Sequence, residues 1–166
     1  MRLASLDLGR KRIGLAVSDN SGTLATPWKS IPGNGSTEVV AARVVGVLRE
    51  LVDSEDGLAG VVVGLPTHLD GRPHPGAAWA REIAAAVGTR TELPVSLQDE
   101  RLTSVEAERR LAVQERDWKK RKVKLDAAAA AVILQEYLDT VGSRGHRKVP
   151  KELPADSPNC HRCGRC

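Results

Sequence analysis

The run LASLDLGRKRIGLAVSD, Leu3 to Asp19, sets the terms for the whole chain. Leu3–Leu8 and Arg12–Asp19 read as two strands joined by a tight turn at Gly9, with a basic Arg-Lys-Arg triplet straight after it. Alternation places Leu3, Ser5 and Asp7 on one face of the first strand and Ala4, Leu6 and Leu8 on the other. Asp7 therefore stands near the end of a strand expected to be central, on its less apolar side. An ionised carboxylate is costly to bury there unless a cation pairs with it or it coordinates a metal. The alternative is an aspartate that caps the turn at Gly9.

Working outward, Leu24–Ile31 reads as a third strand, ahead of a Pro-Gly-Asn-Gly loop at 32–35. Thr37 to Val52 carries Val40, Val44, Val47, Leu48 and Leu51 at helical spacing, with Ser36 or Thr37 as its cap. LAGVVVGL, Leu58–Leu65, is a near-continuous apolar run, as expected of a strand covered on both faces. The loop THLDGRPHPG leads to a helix from Ala77 to Val87, and Pro94–Gln98 is another strand, ending at Asp99-Glu100-Arg101. Thr103 and Glu106 have capping-box spacing and start a helix to about Gln114. A basic loop, Arg116–Lys124, precedes a last helix from Leu125 to Leu138. Leading hairpin strands followed by alternating helix and strand indicate an α/β fold, a mixed sheet flanked by helices. Residues 1–141 make one domain; 142–166, rich in Pro, Ser and charge and without periodicity, are expected to form a disordered tail.

The chain's 166 residues suffice for one domain with a real core. With no Phe and a single Tyr, Val, Leu and Ala have to fill that core. The longest apolar runs fall far short of the roughly 20 residues of a membrane span. The first residues enter a strand without the pattern of a signal peptide, so the expected location is the cytoplasm. The net charge of +4 is unevenly placed: residues 1–140 hold 19 basic and 19 acidic groups, whereas 141–166 hold 6 and 2. Within the body, residues 109–124 hold 8 basic and 2 acidic groups. A uniformly basic nucleic-acid coat is thereby excluded, while local basic segments remain suited to phosphates.

Two further acids bear on Asp7. Glu100 follows a strand, where side chains project from the carboxyl edge of a sheet; its bland explanation is an ion pair with Arg101. Asp126 opens the last helix after a run of lysines, where the helix dipole alone favours an acid. If the three converge at one sheet edge, they suit Mg²⁺, which takes carboxylate oxygens and keeps waters for substrate phosphates. Two such ions about 3.5–4 Å apart activate a water and stabilise the leaving oxygen of a phosphodiester.

Four segments, LDLGRKRIGLAVSD, VVVGLPTHLDG, DERLTSVEAE and KLDAAAAAVILQEYLD, occur in this order from Leu3 to Asp139. Together they resemble the YqgF family of RNase H-like nucleases, described as Holliday-junction-resolvase-like or pre-16S rRNA nucleases. The resemblance implies an RNase H-like fold and a three-acid site for Mg²⁺ or Mn²⁺, made by Asp7, Glu100 and Asp126. On this reading Asp7 lies between two ions, and Glu100 and Asp126 hold one each. Asp99 is the main rival to Glu100, but alternation puts it on the face of Val95 and Leu97; Asp70 in the Asp-Gly turn is a weaker rival. The implied substrate is nucleic acid, either precursor 16S rRNA at its 5′ end or a four-way DNA junction. A resolvase needs paired sites and hence a homodimer, whereas an RNA-end nuclease can act as a monomer.

Arg10, Lys11 and Arg12 stand where they can hold phosphates flanking the scissile bond, or form a solvated basic turn. Arg101 beside Glu100 holds a phosphate or orients the carboxylate. DWKKRKVK, Asp117–Lys124, joins Trp118 to Lys119, Lys120 and three further basic residues, a mixture suited to phosphate contact with base stacking. Its alternative is Trp118 packed on the body with solvated lysines. His68 and His74 are left out of the metal site. Cys160, Cys163 and Cys166, with His161 beside the first, have knuckle-like spacing, but most zinc sites use two separated pairs. Three free thiols are the simpler reading.

Two other classes compete. Sugar-kinase-like and actin-like ATPases also open with an aspartate, a glycine turn and a second strand, but usually need two such domains, and no Walker-type loop is present. A non-catalytic nucleic-acid-binding module is weakened by the three acids, which would repel one another and gain nothing by converging.

Overall fold

The computed structural model describes residues 2–66, 74–99 and 118–143. The first residues form a meander, β1 (Arg2–Leu8), β2 (Arg12–Ser18) and β3 (Ala25–Pro32). Helix α1 (Thr37–Val52) leads to β4 (Leu58–Leu65), helix α2 (Pro75–Thr91) leads to β5 (Val95–Asp99), and α3 (Trp118–Ser143) follows. The sheet runs β3-β2-β1-β4-β5. The meander pairs are antiparallel, while β1/β4 and β4/β5 are parallel, so β1 is central as its sequence requires. This mixed five-stranded sheet flanked by helices is an RNase H-like fold.

The two faces of the sheet bury different residues. Ala4 and Leu6 of β1, Ile13 and Leu15 of β2 and Val61 and Val63 of β4 pack against α1 and α2. Ala16 and Val62 face the other way, onto Ala130, Ile133, Leu134 and Leu138 of α3. Both parities of β4 are thus covered, which is why LAGVVVGL shows no polar alternation. Each buried Val, Leu or Ile among them contributes about 1.5–3 kcal/mol, and each Ala less.

Local signals explain the helix ends. Ser36 caps α1 by accepting from the Val39 N–H. In α2 the His74 ring nitrogen Nδ1 accepts from the Gly76 N–H, ahead of Pro75 at the first turn. His74 therefore has a structural use, and α2 begins two residues earlier than its apolar periodicity predicts. The basic segment at 116–124 departs from expectation. From Trp118 onward it is helix, continuous with the residues after Leu125. It contains neither Gly nor Pro, and Lys and Arg are good helix formers, so nothing stops the helix from extending towards the N-terminus.

The expected helix over 103–114, together with Glu100, Arg101, His68, Asp70 and the Cys160, Cys163, Cys166 tail, lies outside the described residues. So do the side chains of Trp118, Lys119 and Lys120, whose backbone forms the first turn of α3.

Candidate active site

Asp7 ends the α3-facing parity of β1, one pleat beyond Ser5. The buried Ser5 hydroxyl donates to the Ala130 carbonyl across a 2.6 Å bond, tying β1 to α3. In the next strand Asp7 pairs with Gly14, and Gly14 pairs with Ser30 of β3. One row across three strands therefore reads Asp7, Gly14, Ser30. The backbone of α3 rests on the middle of that row. A Cβ built on Gly14 would lie 1.8 Å from the Asp126 carbonyl oxygen, so only glycine admits the helix at this distance.

Asp126 is thereby seated above Gly14, between Asp7 and Ser30. The Ser30 hydroxyl donates to Asp126 Oδ2 at 3.4 Å. The helix starts at Trp118, so Asp126 lies more than two turns inside it and not at its N-terminus. The dipole explanation fails, because that effect is confined to the first turn. What Asp126 faces is another acid. Burial, and then the negative charge of Asp126, push the Asp7 carboxyl up from 3.8 to about 6. Among the described residues no hydrogen-bond donor or cation reaches Asp7 to offset this. Two carboxylates held together at the end of a central strand each disfavour the other's ionised form. They suit a divalent cation, which favours both charged forms at once.

On the other side of β1, the sheet places the rival acid away from the pair. Gly64 pairs with Gln98 and Leu65 with Asp99. Ser96 faces α3, its hydroxyl 3.2 Å from the Tyr137 hydroxyl, whereas Val95 packs into the α1/α2 core. Asp99 has the parity of Val95 and so belongs to the face opposite Asp7. Among the described residues no group of three or more His, Cys, Asp or Glu is assembled; the pair is Asp7 and Asp126.

The three basic residues after Gly9 are exposed and divide between the faces. Arg12 has the parity of Gly14 and Ala16, the face of the acids. Lys11 is at the turn, where its carbonyl accepts from the Gly33 N–H at 3.0 Å. Arg10 turns to the other layer, its guanidinium carbon 4.3 Å from the centre of the Trp79 ring on α2. Sequence reasoning missed Gly14, Ser30 and Trp79. For Gly14 a signal existed, since a glycine inside an apolar strand marks a close approach. Ser30 and Trp79 carry no such mark.

The sheet order, with one acid ending the first strand and another on α3 across it, defines the chain as RNase H-like. The family model described as "RuvX: Holliday junction resolvase" matches residues 1–140, and the chain belongs to that family. A relative from Nocardioides sp. is 44% identical over 142 residues, 84% of this chain and 88% of its own. One from Anaeromyxobacter sp. is 43% identical over 139 residues, 84% of this chain and 97% of its own. Both bear the name "Putative pre-16S rRNA nuclease". Among solved structures, Thermus thermophilus RuvC in complex with a Holliday junction substrate matches with a TM-score of 0.50 at 16% identity. That match covers 86% of this chain and 97% of the other and shows the shared fold. The kinase-like alternative falls with the family match.

Proposed function

We propose that the protein is a divalent-metal-dependent endonuclease that hydrolyses phosphodiester bonds of structured nucleic acid in the cytoplasm, its substrate the 5′ end of precursor 16S rRNA. The observation that carries this is the Asp7–Asp126 pair, with Asp7 raised to about 6. Glu100 completes the set. It follows Asp99, which is on the wrong face, and strand alternation favours the next position. Asp7, Glu100 and Asp126 would hold Mg²⁺ or Mn²⁺, which supplies Lewis acidity at the phosphoryl oxygens and acidifies the attacking water.

The protein's own groups do the remaining work. Seating of α3 on Gly14 fixes the separation of the two acids, and Ser30 orients the Asp126 carboxylate. Arg12, on the acid face, steadies a phosphate near the reacting one, and Lys11, Arg101, Trp118, Lys119 and Lys120 extend the contact along the strand. No helix among the described residues is long and apolar enough to cross a membrane. The description of the matching family favours a second reading, a resolvase cutting four-way DNA as a homodimer.

The deciding experiment places wild type, Asp7→Asn, Glu100→Gln and Asp99→Asn on a labelled precursor-rRNA leader and on a mobile four-way junction, with Mg²⁺, with Mn²⁺ and with chelator. Metal-dependent cutting of the RNA alone, retained in Asp99→Asn and lost in the other two, is expected. Paired symmetric cuts in the junction alone select the resolvase. Binding of both probes without cleavage of either defeats the catalytic assignment in favour of a binding module.

A further inference from the structure

The Arg10–Trp79 stack lies outside the acid centre. Trp79 is buried, with 5% of its surface exposed, and packs in the α1/α2 core, so its ring is fixed. Its indole N–H has no hydrogen-bond partner among the described residues. The ring therefore contributes its volume and its π face here, not its polar edge. Arg10 is exposed, and among the described residues its guanidinium makes no ion pair or hydrogen bond. A guanidinium held against an aromatic ring by a cation–π contact still has N–H donors to offer, and loses little freedom when they bind. Those donors form a fork that matches a phosphate.

We infer that Arg10, positioned by the buried Trp79, is a separate phosphate-binding subsite that takes a non-scissile phosphodiester of the nucleic-acid strand. This rests on the nucleic-acid reading above. Asp7, Asp126 and Arg12 occupy the α3 face of the sheet, whereas Trp79 belongs to the opposite layer. One turn, Gly9 to Lys11, joins the two. A strand crossing this end of the sheet has its reacting phosphate at the acids and a neighbouring phosphate over α2. Arg10 is thus a substrate-contacting group that adds backbone affinity without base preference, and Trp79 is a positioning residue for it.

The test is equilibrium binding in chelator, where nothing is cut. Fluorescence anisotropy follows the full chain on a labelled precursor-rRNA leader and a four-way DNA junction across a salt series. Wild type is compared with Arg10→Gln, Trp79→Phe and Trp79→Leu, each also scored by thermal unfolding. Arg10→Gln is expected to weaken both probes about tenfold at low salt. Its plot of log affinity against log salt becomes shallower by about 0.7–0.9, the loss of one phosphate contact. Trp79→Phe keeps the π face and retains most of the affinity. Trp79→Leu loses affinity but keeps the wild-type salt slope, because the charge remains.

If Arg10→Gln lowers only the melting temperature and leaves affinity and slope at wild type, the stack is purely structural and the subsite is overturned. If Trp79→Phe is as weak as Trp79→Leu, the positioning role is refuted. Should Trp79→Leu fail to fold, Arg10→Gln and Trp79→Phe still decide, since neither removes the ring from the core. Wild type that binds neither probe rejects the nucleic-acid reading itself, an outcome distinct from both.

Discussion

Asp7→Asn is expected to inactivate the protein and at the same time to make it more stable. The folded Asp7 carboxyl titrates at about 6, against 3.8 for its ordinary value. That gap corresponds to about 3 kcal/mol of unfavourable free energy in the ionised folded state. The group's folded pKa is raised, so its favourable contribution is full below pH 3.8 and is lost as pH rises through about 6. Asparagine does not titrate, and its amide still bears some cost of burial. The expected gain over wild type is therefore about 1–3 kcal/mol above pH 6, or roughly 3–10 °C in melting temperature for a chain of this size. Below pH 4 or so the two proteins should converge. Urea unfolding in chelator across the pH range measures the difference directly, and groups that titrate equally in both proteins cancel. Adding Mg²⁺ or Mn²⁺ near neutral pH should stabilise wild type alone and close the gap. If Asp7→Asn is less stable than wild type by a constant amount at every pH, Asp7 is not held against an opposing acid and the argument for the site fails.

Gly14→Ala would drive a methyl into the Asp126 carbonyl. It should cost about 1–3 kcal/mol in urea unfolding, and single-turnover cleavage should fall about 100-fold as the helix lifts away. Ser30→Ala should change stability by less than about 1 kcal/mol. It should weaken Mn²⁺ binding, followed by calorimetry, by about tenfold, with Ser30→Thr restoring most of it. Ser5→Ala breaks the bond that ties β1 to α3 and should cost about 1 kcal/mol of unfolding free energy, leaving the pH profile of cleavage in place.

Much of the fold is legible because its signals are local. Thr37–Val52 and Leu58–Leu65 are predicted to the residue. In α1 one apolar stripe faces the sheet, and in β4 both faces are buried, so each pattern has a single reading. The start of α3 is not legible, because periodicity reads only an apolar stripe. Trp118–Lys124 has no apolar stripe, and its backbone is helical all the same. The acids follow the same division. Asp7 stands out as a carboxylate in an apolar strand, and Asp126 enters by its motif, yet its place above Gly14 depends on how α3 lies across the sheet. Ser30 and Trp79 join the picture only through that packing. No spacing along the chain brings a serine of the third strand to an acid on the last helix.

The bond between Ser5 and Ala130 joins groups 125 positions apart in the chain. The same juncture brings Asp126 to Asp7, so the acid pair is among the last features a growing polypeptide can complete. While translation proceeds, β1 emerges early and waits, and a lone Asp7 has no partner until α3 has left the ribosome. Contacts of such long sequence separation also slow folding, because a long loop has to be closed to make them. The pair of acids is in this way a late-assembled feature, complete only once the strand and the helix that carry them have both been made.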